Sequence, residues 1–307
     1  MQKTNKVRGM IAMTAVVLIY GVSYLAREAI GSDLAPAQTL SLQMIIMCAF
    51  FGIYSLVTHK SFKLQKKDIV WVLASGLFGT ALFHGFTLLS VNAVGATVSS
   101  LLYGFAAAFA LLVEVVVYKR KKTVLGLVSI VLSVLGIVVL MARDLKDLAN
   151  ANLIGYLLGL GSVVSWVTYT FLCDKISGDY EKPVLLTYQA LVGVVCTVPL
   201  MLVGGHSFAG LAIPKVLGAV LFLGLFNSAI AYFLNMYAIK NIGVTLSNLF
   251  LNFLPVVTII LNIILNGVMP NVYQIIGAIL ILISVFVLNK DEQNLANQKA
   301  AENSKEN

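Results

Sequence analysis

The sequence predicts an all-α polytopic membrane protein whose ten transmembrane helices form two inverted five-helix repeats. Three observations support this fold class: an apolar composition, ten apolar runs of membrane-spanning length, and similarity between the two halves of the chain. Of the 307 residues, 59% are hydrophobic and only 11% are charged, and the mean hydropathy is +0.93. Because a soluble domain carries about 25% charged residues, this composition excludes soluble, disordered, fibrous and nucleic-acid-binding proteins.

Each predicted transmembrane helix is a run of roughly 20 mostly apolar residues, the length that crosses the hydrocarbon core of a bilayer. The ten predicted spans cover residues 10–30, 37–57, 69–89, 94–117, 123–142, 153–172, 183–203, 214–236, 243–265 and 272–289. The loops between them are short, so we expect no soluble domain inserted between spans. Residues 290–307 are polar and charged, and we expect them to form a disordered cytoplasmic tail.

The distribution of positive charge predicts how the chain is oriented in the membrane. With ten spans, 17 of the 21 Lys and Arg residues fall on the side of the two termini and 4 fall on the opposite side. Loops rich in Lys and Arg remain in the cytoplasm. We therefore predict a multi-pass protein of the cell (plasma) membrane with both termini cytoplasmic.

The two halves of the sequence match each other at a fixed offset. When residues 71–141 are shifted by 148 positions without gaps, 15 of the 71 positions are identical. The clearest matches start from Gly76, Leu77, Phe78, Ala81, Gly95, Thr97, Ser99, Leu101 and Phe105. We predict a first repeat over residues 1–148 and a second over residues 149–289. Because each repeat has an odd number of spans, the second copy is inverted in the membrane, an arrangement that suits a carrier with two alternating states.

Several short motifs occur in the order and spacing of a known carrier family. They are Tyr20-Gly21 in span 1, Asn92-Ala93-Val94-Gly95-Ala96-Thr97 leading into span 4, Trp166 in span 6, Asn241-Ile242-Gly243-Val244-Thr245 leading into span 9, Pro255 within span 9, and Gln274-Ile275-Ile276-Gly277 at the start of span 10. Over about residues 9–289 the chain resembles the EamA-type carriers of the drug/metabolite transporter superfamily. The resemblance implies this ten-helix fold and transport of a small organic solute. It implies no particular substrate, because the family shares none.

Polar and aromatic side chains follow one face of several predicted spans. In span 1, for example, Tyr20 and Tyr24 are one helical turn apart, and the same face continues to Arg27. Polar groups at membrane depth usually face the bundle interior or a water-filled cavity. The predicted substrate-binding residues are Tyr20, Tyr24, Gln43, His84, Tyr103, Trp166, Tyr169, Tyr232 and Asn252. The alternative is structural, since such side chains also hydrogen-bond between helices or lie in interfacial belts.

Three ionisable side chains within the predicted spans have separate alternatives. Glu114 in span 4 is the candidate for proton coupling, and an ion pair with the basic residues 119–122 is its alternative. His84 suits proton coupling or an interhelical hydrogen bond, and we expect the hydrogen bond. Arg27 is near the outer end of span 1, where anchoring to lipid headgroups is favoured over binding a substrate carboxylate. A face of small residues on span 6, at Gly155, Gly159 and Gly161, predicts close helix packing.

These features predict a secondary transporter that moves a small organic solute by alternating access. Our first hypothesis for the solute is an amino acid or a related metabolite. A carrier of quaternary amines or drug-like cations is the alternative within this class, because aromatic faces bind cations. A membrane-embedded lipid-modifying enzyme is the alternative from another class. The sequence has no nucleotide, catalytic or metal-binding motif, so we predict no enzyme activity, no cofactor and no metal. The predicted partners are the solute and membrane lipid, and a homodimer is left open.

Overall fold

The structure is a computed structural model that describes residues 2–117, 119, 123–145, 152–176, 180–204, 207–251 and 253–306. In these ranges the regular elements are helices, and none of them is a β-strand. The α-helices are α1 (Gln2–Ile30), α2 (Pro36–Val57), α3 (Ile69–Gly76), α4 (Phe83–Tyr103), α5 (Ala106–Val116), α6 (Val124–Leu145), α7 (Leu153–Ile176), α8 (Lys182–Val203), α9 (Pro214–Leu221), α10 (Ala231–Leu251), α11 (Leu254–Asn266) and α12 (Val272–Glu306). The first π-helical segment is Leu77–Leu82 and the second is Phe222–Ile230, and short 3₁₀ helices cover Lys66–Asp68 and Ala209–Ala212.

Seven helical stretches of the described chain are long and apolar enough to cross a membrane. They are Asn5–Ile30, Pro36–Val57, Lys66–Tyr103, Leu153–Cys173, Lys182–Val203, Pro214–Ile242 and Val272–Leu295. Three further apolar helices, Ala106–Val116, Val124–Leu140 and Leu254–Asn266, are shorter. The prediction of an all-α polytopic membrane protein is therefore confirmed for the described residues, while the count of ten spans stays a prediction.

The stretch Lys66–Tyr103 joins the predicted span 3 to the first half of span 4, and Gly95 marks their boundary. Gly95 has φ 83° and ψ 164° inside α4, so helical geometry is interrupted there. A positive φ of this kind favours glycine, which has no Cβ to clash with the backbone. The carboxylate of Glu28 accepts a hydrogen bond from the backbone N of Ala96 (Oε1 to N, 3.3 Å). This bond caps the helix that resumes after the break.

Helix breaks also occur at matching places in the two halves. α4 ends at Tyr103 and α5 begins at Ala106, while α10 ends at Leu251 and α11 begins at Leu254. The sequence offset of 148 maps the first break onto the second. Pro255 lies in the first turn of α11, where its missing N–H removes no intrahelical hydrogen bond.

The two π-helical segments follow the same offset. Shifted by 148, the first segment falls on residues 225–230, which lie within the second segment. π-Helical turns are rare and are frequent at functional sites. Each segment leads directly into a helix that carries a predicted site residue, His84 in α4 and Tyr232 in α10.

Helices of one half pack mainly against helices of the other half. The most extensive pairs are α1 with α10, α4 with α7, α2 with α8, and α6 with α12. The offset of 148 maps α1 onto α7 and α4 onto α10, so the α1–α10 pair is the counterpart of the α4–α7 pair. A large buried apolar cluster contains residues of α1, α4, α7 and α10, so both halves contribute to the centre of the molecule.

The small-residue face predicted on span 6 packs closely in the structure. A Cβ added to Gly155 would lie 2.7 Å from the Cβ of Ala93, and one added to Gly161 would lie 3.2 Å from Cδ2 of Phe86. α7 therefore approaches α4 through its glycines, as expected for close helix packing in a membrane.

The end of the chain differs from the sequence prediction of a disordered tail. α12 continues from Val272 to Glu306 instead of ending at Lys290. Residues 291–306 contain several Glu, Gln, Ala and Lys residues, which favour helix even without apolar burial. Asp291 is buried and its Oδ2 accepts a hydrogen bond from Oγ1 of Thr123 at 2.7 Å, which holds the start of this extension against the beginning of α6.

Candidate functional site

Six buried aromatic side chains meet where the two halves pack together. This aromatic cluster consists of Tyr20 in α1, Phe83 and Tyr103 in α4, Trp166 and Tyr169 in α7, and Tyr232 in α10. Trp166 is central, with its ring centroid 4.9 Å from that of Phe83 and 5.9 Å from that of Tyr232. Aromatic rings at such distances pack favourably in tilted or edge-to-face pairs. The cluster brings together five of the predicted substrate-binding residues.

A chain of buried hydrogen bonds begins at Arg27 and runs beside the aromatic cluster. Nη1 of Arg27 donates to the backbone O and to Oγ of Ser23, at 3.1 Å and 2.8 Å. Nη2 of Arg27 donates to Nδ1 of His84 at 3.0 Å. Nε2 of His84 is 3.2 Å from the hydroxyl oxygen of Tyr232, which in turn donates to the backbone O of Gly79 at 2.6 Å. The chain thus connects α1, α4, α10 and the first π-helical segment.

The donors in this chain determine where His84 carries its proton. A guanidinium group can only donate hydrogen bonds, so Nδ1 of His84 must accept one from Arg27. The hydroxyl proton of Tyr232 is used in the bond to Gly79, so Nε2 of His84 must donate to Tyr232. In this arrangement His84 is neutral and makes the interhelical hydrogen bond expected from the sequence.

Three polar groups at the cluster lack a hydrogen-bond partner among the described residues. They are the hydroxyls of Tyr20 and Tyr103 and Nε of Arg27, and all three atoms are buried. Tyr20 is close enough to both Arg27 and Tyr103 to interact with them electrostatically. Buried polar groups are nearly always paired. Three neighbouring exceptions therefore provide hydrogen-bonding capacity that a bound solute or water can use.

Gln43 and Gln189 tie α2 and α8 to elements of the opposite half. Nε2 of Gln43 donates to Oγ of Ser228 in the second π-helical segment at 2.6 Å. Nε2 of Gln189 donates to Oγ of Ser75 at 2.9 Å, and its backbone O accepts from Thr80 in the first π-helical segment at 3.1 Å. These bonds favour the structural alternative for Gln43, whose Oε1 has no partner in the described chain.

The remaining predicted site residues have different placements. Tyr24 is buried on the same side of α1 as Arg27 and interacts with it electrostatically. Asn252 lies outside the described residues. Glu114 is partly buried on α5, beyond the helix break that follows Tyr103. The structure therefore brings Tyr24 to the cluster and leaves the other two residues as predictions.

The expectation that Arg27 anchors to lipid headgroups is wrong. The side chain is only 2% exposed and its bonds are directed into the protein. The position of Arg27 near the end of span 1 suggested an exposed side chain. Its helical spacing from Tyr20 and Tyr24 correctly indicated the inward face of the helix. Phe83 is a cluster residue that the sequence does not reveal, because a lone Phe in an apolar span has no polar signal to distinguish it from lipid-facing residues.

The two ends of the helix bundle differ in how they are closed. An open pocket of about 910 Å³ lies at the end of α1, bounded by Glu28, Gln38 and Asn92 among other residues. At the opposite end the loops are bridged: Nζ of Lys60 is 3.2 Å from Oε1 of Glu181. The halves are also joined beside the open pocket, where Nε2 of Gln38 donates to the backbone O of Ser207 at 3.1 Å.

A second contact reinforces the bridged end. The hydroxyl of Tyr180 donates to Oδ2 of Asp68 at 2.6 Å, and the backbone N of Gln65 donates to that hydroxyl at 3.1 Å. Because these residues come from different halves of the chain, the bonds join the two halves at this end.

No group of three or more His, Cys, Asp or Glu side chains in the described part of the chain is arranged to hold a metal ion. The aromatic cluster offers rings and hydroxyls, and the hydrogen-bond chain beside it adds the neutral imidazole of His84 and the guanidinium of Arg27. Such groups can bind and orient an organic solute, and they include no activated nucleophile of the kind covalent catalysis needs.

Comparisons with known proteins agree with this architecture. The sequence model of the EamA-like transporter family matches the chain twice, over residues 7–142 and 153–290. An uncharacterized transporter of Archaeoglobus fulgidus is 24% identical over 279 residues, which cover 91% of this chain and 97% of that protein. An uncharacterized transporter of Clostridium kluyveri is 25% identical over 305 residues, covering 93% and 97%.

The present fold is similar to that of a protein solved by crystallography. The match has a TM-score of 0.68 and 18% sequence identity, and it covers 95% of this chain and 99% of the other. That likeness concerns the fold alone. The family match covers both halves of the sequence and nearly its whole length, and the chain therefore belongs to the EamA-like transporter family.

Proposed function

We propose that this protein is a secondary transporter that moves a small organic solute across the cell membrane by alternating access. The proposed solute site is the aromatic cluster together with the hydrogen-bond chain from Arg27 to His84. One observation carries the proposal: the cluster is buried between helices of both halves, and its Tyr20 and Tyr103 hydroxyls have no partner in the described chain. Aromatic walls with a few polar groups are typical of sites for small molecules.

Alternating access requires two similar halves that can exchange conformations, and we propose two inverted five-helix repeats in ten spans as that device. The matched helix breaks, the matched π-helical segments and the corresponding packing pairs support it. In carriers built this way, the site lies between the repeats, and exchange of their conformations moves the opening from one side to the other.

The proposed orientation has both termini in the cytoplasm. It is supported by the 17 Lys and Arg residues on that side, against 4 on the other. In this orientation the open pocket beside Glu28 faces outward, and the Lys60–Glu181 bridge closes the cytoplasmic end. This arrangement supports a state that is closed toward the cytoplasm, with the aromatic cluster buried between the two halves.

The solute class that we favour is an amino acid or a related metabolite. Rings that pack on an apolar body, next to hydroxyls and a guanidinium that bind polar groups, suit such a compound. A quaternary amine fits less well, because Arg27 places a positive charge beside the same rings. The family match and the names of its relatives favour transport over catalysis.

If the transporter is coupled to protons, we propose Glu114 as the coupling residue. It is the acidic side chain furthest inside a predicted span, and its counterpart at the offset of 148 is Asn262, which cannot titrate. Asn262 instead donates from Nδ2 to Oγ1 of Thr97 at 2.9 Å, tying α11 to α4.

The proposed function is tested by solute exchange. Purified protein is first screened by thermal shift against amino acids, organic acids, nucleosides and quaternary amines, since a ligand of the folded state raises its apparent stability. Compounds that stabilise the protein are then loaded into proteoliposomes, and uptake of the labelled compound is measured. We expect saturable exchange that Trp166→Ala and Tyr20→Ala strongly reduce.

Phe286→Ala on α12 is the matched control, because Phe286 is exposed at the periphery and outside the cluster. Its exchange rate is expected to equal that of the wild-type protein. Non-saturable uptake would contradict a carrier mechanism, and unchanged binding in both cluster variants would remove the cluster as the solute site.

A further inference from the structure

The solute site contains a positive charge that no acidic side chain of the described residues pairs with, and this indicates which chemical group the site recognises. We propose that Arg27 binds a carboxylate of the transported solute, which is therefore an organic acid, amino acids included, with an apolar or aromatic body. This inference rests on the proposed function and specifies the chemistry of the same site.

Arg27 is buried without an acidic partner among the described residues. All of its hydrogen-bond acceptors are neutral: the backbone O and Oγ of Ser23 and Nδ1 of His84. The ion pair found in the described chain joins Lys60 to Glu181 at the far end of the bundle. An isolated buried charge is costly unless it is paired and hydrogen-bonded. A solute carboxylate supplies the missing charge.

Glu28, the acidic residue next to Arg27 in the sequence, makes its hydrogen bond to another helix. Glu28 accepts a hydrogen bond from the backbone N of Ala96 and borders the open pocket. Successive residues of a helix point in different directions, so Glu28 cannot turn onto the guanidinium without leaving this cap. The carboxylate adjacent to Arg27 in the sequence therefore bonds to the backbone of α4 and is not paired with the guanidinium.

Arg27 retains donors for a bidentate contact. A guanidinium has five N–H donors, and Nη1 and Nη2 bond to Ser23 and His84 while Nε has no partner in the described chain. Two parallel N–H groups of arginine match the two oxygens of a carboxylate. The buried hydroxyl of Tyr20, which interacts electrostatically with Arg27, can donate to the same carboxylate.

The aromatic rings of the site indicate what kind of body carries the solute carboxylate. Trp166, Tyr169 and Tyr232 present apolar ring surfaces next to the Arg27–His84 chain, and His84 is neutral when it accepts from Arg27. The cluster as defined contains no acidic side chain that would balance a cation. An apolar or aromatic body attached to a carboxylate satisfies both parts of the site. In an amino acid, the ammonium is balanced by the carboxylate of the same molecule, and the unpaired hydroxyl oxygen of Tyr103 can accept a hydrogen bond from it.

The inference is tested with matched acids and amides as probes. Thermal shift of the full-length protein in detergent is measured with 3-phenylpropionate, 4-methylpentanoate and leucine, and with the amide of each. The wild-type protein is expected to be stabilised by an acid at concentrations where its amide has little effect. In Arg27→Met the apparent affinity for that acid should fall about 30-fold or more, because one partner of a buried charge pair is lost. Its affinity for the amide should fall much less, because a neutral amide loses a hydrogen bond but no charge pairing.

Two further variants control this comparison. Arg8→Met removes an exposed arginine from the same helix and is expected to bind acids as the wild-type protein does. Arg27→Lys keeps the charge but loses the planar fork, so we expect an affinity between those of the wild-type protein and Arg27→Met. If Arg27→Met does not fold, the acid–amide preference of the wild-type protein and of Arg27→Lys decides the question.

Failure of this inference is distinguishable from failure of the proposed site. Trp166→Ala should weaken the binding of acids and of amides alike, since the substitution removes ring surface and no charge. If Trp166→Ala weakens the binding of both kinds of compound while the wild-type protein shows no preference for acids, the proposed solute site is supported and the proposed role of Arg27 is overturned. If acids are preferred and Trp166→Ala has no effect, Arg27 binds carboxylate but the aromatic cluster is not the site. A panel in which no acid stabilises the wild-type protein also overturns the inference.

Discussion

Tyr20 and Tyr103 each bury a hydroxyl group without a partner in the described chain. A buried, unpaired hydroxyl costs about 1–3 kcal/mol of stability. We therefore predict that Tyr20→Phe and Tyr103→Phe raise the thermal stability of the solute-free protein in detergent by about 1 kcal/mol each. The same substitutions should weaken solute binding, because the hydroxyls are then missing from the site.

Tyr232→Phe is the matched control, because the Tyr232 hydroxyl is bonded to Gly79 and His84. Its removal leaves two buried groups unpaired, so we expect a loss of about 1–2 kcal/mol. A loss of stability in all three variants would mean that the Tyr20 and Tyr103 hydroxyls already have partners within the protein.

Glu114 is the residue at which proton coupling can be examined. Glu114→Gln preserves the size and much of the hydrogen bonding of the side chain but removes its titration. In proteoliposomes with an imposed pH gradient, we predict that the variant loses uphill accumulation of solute and keeps solute exchange at equal pH. Undiminished accumulation would instead assign Glu114 to a structural role near the basic residues 119–122.

Individual residues differ in how well the sequence predicts them. Tyr20 and Trp166 could be identified because their depth within a span excludes the interfacial belt, and both lie in the aromatic cluster. Arg27 was misjudged because its distance along α1 says nothing about which neighbours cover it. The partner that buries it, His84, is 57 residues away in the sequence.

At the scale of elements, the first π-helical segment positions two residues of the cluster. The backbone O of Gly79 accepts the hydroxyl of Tyr232, and a Cβ at Gly79 would collide with the ring of Tyr169. Only glycine lets α7 bring Tyr169 this close to the segment. The segment therefore holds the two rings in contact, with centroids 5.9 Å apart.

We predict that Gly79→Ala displaces the Tyr169 ring and destabilises the protein by about 1–3 kcal/mol, the usual cost of overpacking a core. Thermal unfolding in detergent measures the stability, and thermal shift with the solute measures binding, which should also weaken. Gly218→Ala on α9 is the matched control, since no atom lies within 4 Å of the added Cβ.

The control should be neutral or slightly stabilising, because alanine favours helix over glycine by up to about 1 kcal/mol. Equal effects of the two substitutions would show that the contact between Gly79 and Tyr169 has no special importance.

Helices themselves are predictable from the sequence, but their irregularities are less so. The apolar runs gave the approximate bounds of the helices, and Gly95 falls at a predicted boundary. The π-helical segments carry no sequence signal of their own, because the extra residue per turn is accommodated by packing against the opposite half. The helical extension of α12 was missed because polarity alone suggested disorder, while helix propensity favoured helix.

At the scale of the whole molecule, the orientation of the bundle is open to a direct test. In a variant with Cys48, Cys173 and Cys196 replaced by Ser, single cysteines are introduced by Ser32→Cys and Lys63→Cys. Both positions are exposed, and they lie in the loops that precede and follow α2. We predict that a membrane-impermeant maleimide labels Ser32→Cys in intact cells and Lys63→Cys only after permeabilisation. The reverse pattern would place the termini outside.

The sequence by itself determined the class of protein and the approximate bounds of most helices, and it predicted the relation between the halves and the faces that carry polar groups. These properties follow from local composition and periodicity, which need no knowledge of partners. The tertiary structure decided which of those faces meet. The contacts of Arg27 with His84 and of Trp166 with Phe83 join helices distant in sequence, and their geometry depends on how the two halves pack. Local pattern places a side chain on a helix face, but only packing against another helix gives it a partner or leaves it without one.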